Sequence, residues 1–171
     1  MVQRARADKD AFFGSDAHSP VPAAARGPDF SLAYFAPEPA WRIAAQWHPA
    51  ATLMGVRVQT STGEARDYVL AGHFAFNIDD TPCRLVGYAT SADALSLFVP
   101  FKDATAGHET YGTGRYLDVE MPPADGGPVV LDFNAAYNPF CAYSEQWSCP
   151  LTPPENVLSV AIRAGEKVPA W

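Results

Sequence analysis

The spacing of apolar residues changes character once along the chain. In the first stretch, "VQRARADKDAFF" (2–13), the polar side chains Arg4, Arg6, Asp8, Lys9 and Asp10 run ahead of an apolar end, Phe12 and Phe13, and Gly14 follows as a stop. This pattern predicts a short peripheral helix within residues 1–14, ended by the turn chemistry of "SDAHSPVP". From Asp29 onward the period is two. Strands are predicted at "DFSLAYF", "WRIAAQW", "TLMGVRVQT", "ARDYVLAGHFAFNI", "CRLVGYAT", "LSLFVPF", "RYLDVEM", "PVVLDFN" and "NVLSVAIR". "STGE" and "DDTP" are hairpin turns, "SADA" joins the next pair, and "PPADGG" reads as a hairpin between 115–121 and 128–134.

Within these strands the alternation assigns faces. Tyr68, Leu70, Phe74, Phe76 and Ile78 share one side, as do Leu95, Leu97, Val99 and Phe101, while Leu158, Val160 and Ile162 point inward from the last strand. The expected fold is mainly β: an antiparallel meander of roughly nine strands, closed as a small barrel or stacked as a sandwich, with a short N-terminal helix. Residues 1–171 are read as a single domain, a peripheral helix over 1–14 and a β body over 29–171.

Two segments break the pattern. Residues 102–114, "KDATAGHETYGTG", and 135–155, "AAYNPFCAYSEQWSCPLTPPE", exceed the two to five residues of an ordinary hairpin loop. Strand count places both at one end of the sheet, where they would wall a pocket.

The side chains there define the candidate chemistry. Arg115 shares the inward side of its strand with Leu117, Val119 and Met121, so it needs a carboxylate or an anionic ligand. Asp103, Glu109 and Glu155 are the acids within reach. A structural ion pair and an anion clamp both remain open. Glu109 and Asp103 are the weak candidates for a catalytic carboxylate. Tyr111, Tyr116, Asn134, Tyr137, Asn138 and Tyr143 are the polar and aromatic candidates for a ligand wall, although Asn before Pro at 138 also reads as turn chemistry.

Cys141 and Cys149 lie in one loop. A disulfide between them is open on length, as is a bland pair of buried thiols. No CxxC or HxxxH spacing occurs, so neither a metal site nor a cofactor is expected.

Composition narrows the partners. The net charge is −7 with only 12 Lys and Arg, which offers no footprint for nucleic acid or an anionic membrane. That field suits a neutral or cationic small molecule; Arg115 alone argues for an anionic one. The first residues have no apolar signal core, and no window approaches the ~18 apolar residues of a membrane span, so a soluble cytoplasmic protein is expected. Nothing in the pattern bears on oligomeric state.

Three blocks carry a resemblance: "FVPFKDATAGHETYGTGRYLDV", "VLDFNAAYNPFCAYSEQWSCPLTPPEN" and the closing "IRAGEK". They are similar to an uncharacterised prokaryotic family, domain-of-unknown-function family 1684, and "DAFFGSDAHSP" and "FSLAYF" extend the match toward the start. The resemblance implies no activity and no catalytic residue; His108 lies outside its pattern. Three functions therefore stand side by side. The first is a β domain binding a small molecule, anionic if Arg115 holds it, between loops 102–114 and 135–155. The second is an enzyme with Glu109 or Asp103 as general acid–base and Arg115 holding the substrate. The third is a structural or partner-binding module.

Overall fold

The structure is a computed structural model describing residues 2–91 and 93–170. It is mainly β, with one α-helix, α1 (Val2–Ser15), and six strands: β1 (Arg42–Gln59), β2 (Ala65–Ile78), β3 (Thr81–Ala89), β4 (Ser96–Phe101), β5 (Arg115–Glu120) and β6 (Gly127–Asp132). They form one antiparallel sheet in the order β5-β4-β3-β2-β1-β6, curled into a half-barrel. Six strands replace the roughly nine expected, and the sheet is neither a closed barrel nor a two-sheet sandwich.

The turns that the sequence marked are real where a two-residue reversal is chemically specified. Ile78 pairs with Thr81 across Asp79 and Asp80, both at positive φ (46° and 62°), a conformation Asp tolerates better than most residues. Elsewhere the strand count fell. "WRIAAQW" and "TLMGVRVQT" are the two halves of β1. They are joined without a turn because His48 and Pro49 stay paired to His73 and Gly72, and the register slips only between Pro49 and Met54. "DFSLAYF" makes a lone bridge, Tyr34 to Glu166.

The supposed β5–β6 hairpin does not form. "PPADGG" instead carries the chain from one edge of the sheet to the other, where β6 pairs with the first half of β1. "NVLSVAIR" is not a strand either, because side chains have taken the backbone groups a ladder would need. Ile162 N–H donates to Asp103, and Ile162 and Ala164 carbonyls accept from Arg115. Asn156 does similar work between β3 and β4, which share a single register pair, Tyr88 with Phe98. Its Oδ1 accepts from Val86 N–H at 2.7 Å, and its Nδ2 donates to the carbonyls of Val86 and Pro100.

Both faces of the sheet are covered. On one face Trp47, Phe74, Phe76, Leu85, Leu97, Val99, Phe101, Leu117 and Leu131 pack against Phe133, Ala136, Leu158, Ile162 and Ala164. On the other, Val58, Tyr68, Val86 and Tyr88 form a smaller cluster with Phe98 beside it. The shared side expected for Tyr68, Leu70, Phe74, Phe76 and Ile78 is therefore split. The β2–β3 register slips between Leu70 and Gly72, and one inserted residue moves every later side chain to the opposite face. Gly72 is required at that slip: its φ is 156°, and a Cβ there would lie 2.3 Å from the His48 carbonyl and 2.6 Å from the Trp47 ring. Among the described residues, no helix is long and apolar enough to cross a membrane.

Candidate functional site

Arg115 opens β5 on the side shared with Leu117 and Val119, as its phase requires, but Met121 lies beyond the strand and is exposed. The guanidinium is only 1% exposed. Nη1 donates to the carbonyls of Ala164 and Glu166, Nη2 donates to Ile162 O at 2.9 Å and Asp103 Oδ1 at 3.4 Å, and the guanidinium carbon lies 5.2 Å from the Phe101 ring centroid. Burial lowers its pKa, opposed by the charge of Asp103. Both ends of the fork are occupied by protein, so no N–H pair is left to clamp an anion.

The catalytic candidates are similarly committed. Asp103 is buried and accepts from Thr105 Oγ1, Ile162 N–H and Arg115. Glu109 lies on the surface, bonded through both oxygens to Arg163 Nε at 3.0 Å, and that partner holds its carboxyl below the ordinary range. Neither lines the cavities described below. Segment 102–114 is a packed plug: Asp103, Thr105 and Thr110 are buried and bonded to one another or to the backbone. It does touch 135–155, through Tyr111 hydroxyl to Cys141 O (3.2 Å) and Thr152 hydroxyl to Thr113 O (2.9 Å), yet it walls neither cavity.

The cavities instead lie on either side of the segment after β6. Asp132 caps its first turn by accepting from Asn134 N–H, and Asn134 then holds both backbone groups of Glu38 as a neighbouring strand would. Asn134 and Tyr137 line the first cavity, of about 410 Å3, with Val2, Ala5, Arg6, Lys9 and Phe13 of α1 opposite, and Tyr34, Asp118, Phe140 and Glu166 completing it. Tyr137 also lines the second cavity, of about 350 Å3, together with Asn138, Tyr116, Tyr68, Phe98, Trp147 and Cys149.

Glu166 lines the first cavity. It is 2% exposed and accepts from Lys9 Nζ, Tyr143 hydroxyl and Asn138 N–H. Gly165 makes this approach feasible: at φ 74° its backbone runs so close that a Cβ would meet Ala136 O at 2.4 Å. Burial raises the pKa of Tyr143, and the neighbouring Glu166 charge adds to it. Tyr137 is raised in the same sense, by burial and then by Asp118, to which its hydroxyl donates at 2.9 Å.

Arg6 lies 4.5 Å from the Tyr34 ring and donates to the carbonyls of Phe35 and Asn134. Asp10 accepts from Leu32 N–H and Tyr34 hydroxyl. The helix is thus seated mainly by polar and cation–ring contacts, Phe13 being its only buried residue.

Of the ligand-wall candidates, Asn134, Tyr137, Asn138 and Tyr116 line a cavity, and Tyr143 stands behind one, bonded to Glu166. Arg115 and Tyr111 do not line either. The sequence marks Arg6, Lys9 and Phe13 only as helix pattern, and Glu166 only as part of "IRAGEK". Their assembly depends on contacts between the two ends of the chain, which no local spacing signals.

Cys141 and Cys149 are free thiols in contact, Cys141 N–H donating to Cys149 Sγ at 3.3 Å. The Cys141 thiol and then nearby N–H groups pull the Cys149 pKa down to about 6, while Cys141 is pushed up. No group of three or more acidic, His or Cys side chains suited to a metal ion occurs among the described residues.

Comparison with known proteins adds a lineage but no activity. No curated protein matches. The solution NMR structure of an uncharacterized protein from gene locus rrnAC0354 of Haloarcula marismortui is 38% identical, with a TM-score of 0.78 over 97% of this chain and 91% of that one. A family profile described as "Protein of unknown function (DUF1684)" matches residues 30–167, which hold the sheet, both long segments and Glu166. The chain belongs to that family of proteins of unknown function.

Proposed function

We propose that the chain is a small-molecule-binding β domain and that its site is the cavity between α1 and residues 134–140. The observation that carries this reading is one cavity of about 410 Å3 that brings a buried carboxylate, an ammonium group and aromatic rings together on a mainly apolar wall. That size falls in the ~300–1,000 Å3 range of small-ligand pockets, and a few convergent polar groups on an apolar wall are what orient such ligands. The site differs from the one expected between loops 102–114 and 135–155. Residues 134–140 supply one wall, and α1 takes the place assigned to 102–114.

The test is a ligand-observed NMR screen with small amines, carboxylates and neutral heterocycles on the full chain, followed by amide shift mapping. Bound compounds should move Asn134, Ala136, Tyr137 and Glu166. Ala5 is exposed and lines the cavity, so Ala5→Trp should fill the space without disturbing the core and should abolish binding. Hits that move Tyr116 and Trp147 and survive Ala5→Trp would transfer the site to the second cavity.

A further inference from the structure

Lys9 is oddly housed for a surface lysine. Its ammonium lies 4.9 Å from the Phe13 ring centroid, 5.2 Å from Tyr137 and 5.9 Å from Tyr143, and it donates to Glu166. All three distances fall within the ~6 Å at which a ring face attracts a cation. Phe13 is one helical turn from Lys9, so that contact is local. Tyr137 and Tyr143 come from the far end of the chain and have no such excuse. Three rings and a carboxylate around one positive charge form a cage for an ammonium ion, and a lysine that only pinned a helix would not need it.

We infer that the Phe13–Tyr137–Tyr143–Glu166 cluster is a binding site for a small organic ammonium ion, which Lys9 fills when the site is empty; the inference rests on the cavity reading above. The cage does not depend on Lys9 for its shape. Asn138 N–H and Tyr143 hydroxyl hold the Glu166 carboxylate in place, and Tyr137 is fixed by Asp118. Phe13 stays seated because α1 keeps its other anchors, Arg6 on two carbonyls and Asp10 on Leu32 and Tyr34.

Lys9, by contrast, has a way out. Its side chain is 22% exposed at the cavity edge, on a flexible four-carbon stem. Charge favours the same ligand class. Glu166 and Asp118 both line the cavity, and among the described residues the other cation lining it, Arg6, donates to Phe35 and Asn134 carbonyls. The volume beyond the cage leaves room for the body of a primary amine or a methylated ammonium compound. Because Lys9 is tethered beside the cage, it competes at a high effective concentration and weakens the wild-type site.

The experiment measures binding of tetramethylammonium and choline to the full chain by NMR titration, with 3,3-dimethylbutanol as a neutral isostere of choline. Lys9→Ala should bind both cations about tenfold or more tightly than wild type, as expected when a tethered competitor is removed. Ring protons of Tyr137 and Tyr143 should shift. Adding Tyr137→Leu or Glu166→Gln to Lys9→Ala should abolish the gain; the Tyr137 variant keeps the test usable if the Glu166 variant folds poorly.

Equal binding of the neutral isostere would overturn the cation assignment while leaving the cavity as a site. A folded Lys9→Ala protein that binds neither cation would overturn it too. In that case the screen and Ala5→Trp decide separately whether the cavity binds anything else.

Discussion

Two cation–carboxylate pairs, each with a buried carboxylate, flank the same stretch of backbone, residues 162–166, and they differ in what surrounds them. Arg115 and Asp103 lie under the sheet, each below 5% exposed, with both ends of the guanidinium fork spent on protein acceptors. Lys9 and Glu166 lie at a cavity edge, and the cation belongs to a helix that buries a single apolar residue. The first pair replaces missing strand pairing and leaves only the buried Arg115 Nε without an acceptor. The second leaves its cation exchangeable. A buried charge is therefore a poor sign of function by itself; what matters is whether its partner could be exchanged for a ligand.

The comparison breaks most visibly at Arg115. Arg115→Ala leaves Asp103 buried without its cation and strips three carbonyls of a donor, so urea denaturation should show a loss of about 3–5 kcal/mol. Arg115→Lys keeps the charge but not the planar fork and should fall between this and wild type. An alanine variant as stable as the parent would mean that the pair is not structural.

Removing residues 1–15 should cost less. The burial of Phe13 is worth roughly 1.5–3 kcal/mol, so the melting temperature should drop while the far-ultraviolet circular dichroism stays β-like. Complete unfolding on truncation would place α1 in the core rather than on it. Lys9→Ala is smaller again, about 1–2 kcal/mol: Glu166 stays buried without its cation but keeps two other donors, and Lys9 itself is partly exposed. A loss as large as that of Arg115→Ala would erase the distinction between the two pairs.

The smallest effect is chemical rather than energetic. Cys149 should react with iodoacetamide as pH rises through about 6, well below an ordinary thiol, because its thiolate is stabilised by Cys141 and adjacent N–H groups. Cys141→Ala should return that midpoint toward the ordinary thiol range. A rate profile of Cys149 unchanged by Cys141→Ala would show that the two thiols do not interact.

Where period two is uninterrupted, the sequence was a sound guide. β2, β3, β4, β5 and β6 lie within a few residues of the predicted strands, and α1 overruns its predicted end by one. What failed was pairing. "PPADGG" has the look of a hairpin, but the half-barrel brings β5 and β6 to opposite edges, a matter of global curl that no six residues encode. The alternation in 156–163 was also genuine, with Leu158 and Ile162 buried, yet side-chain donors and acceptors from Asp103 and Arg115 displaced a ladder. Arg115 illustrates the same limit. Its inward phase was legible, but whether its fork was free depended on carbonyls about fifty residues away. Tyr137 and Asn134 could be picked out by type, whereas Lys9 looked like any solvated helix charge.

The seat of α1 has a consequence for how the molecule is made. Arg6 rests on the Asn134 carbonyl, Lys9 on Glu166, and Phe13 against Tyr143 and Phe140. A ribosome delivers the helix more than a hundred residues before its seat, so α1 has nothing to dock on until residues 134–166 have emerged. Chains generally fold from the N-terminal side during synthesis. Here that order is inverted for one element: α1 emerges ahead of its seat yet settles after it, and its docking reports that residues 134–166 are already in place.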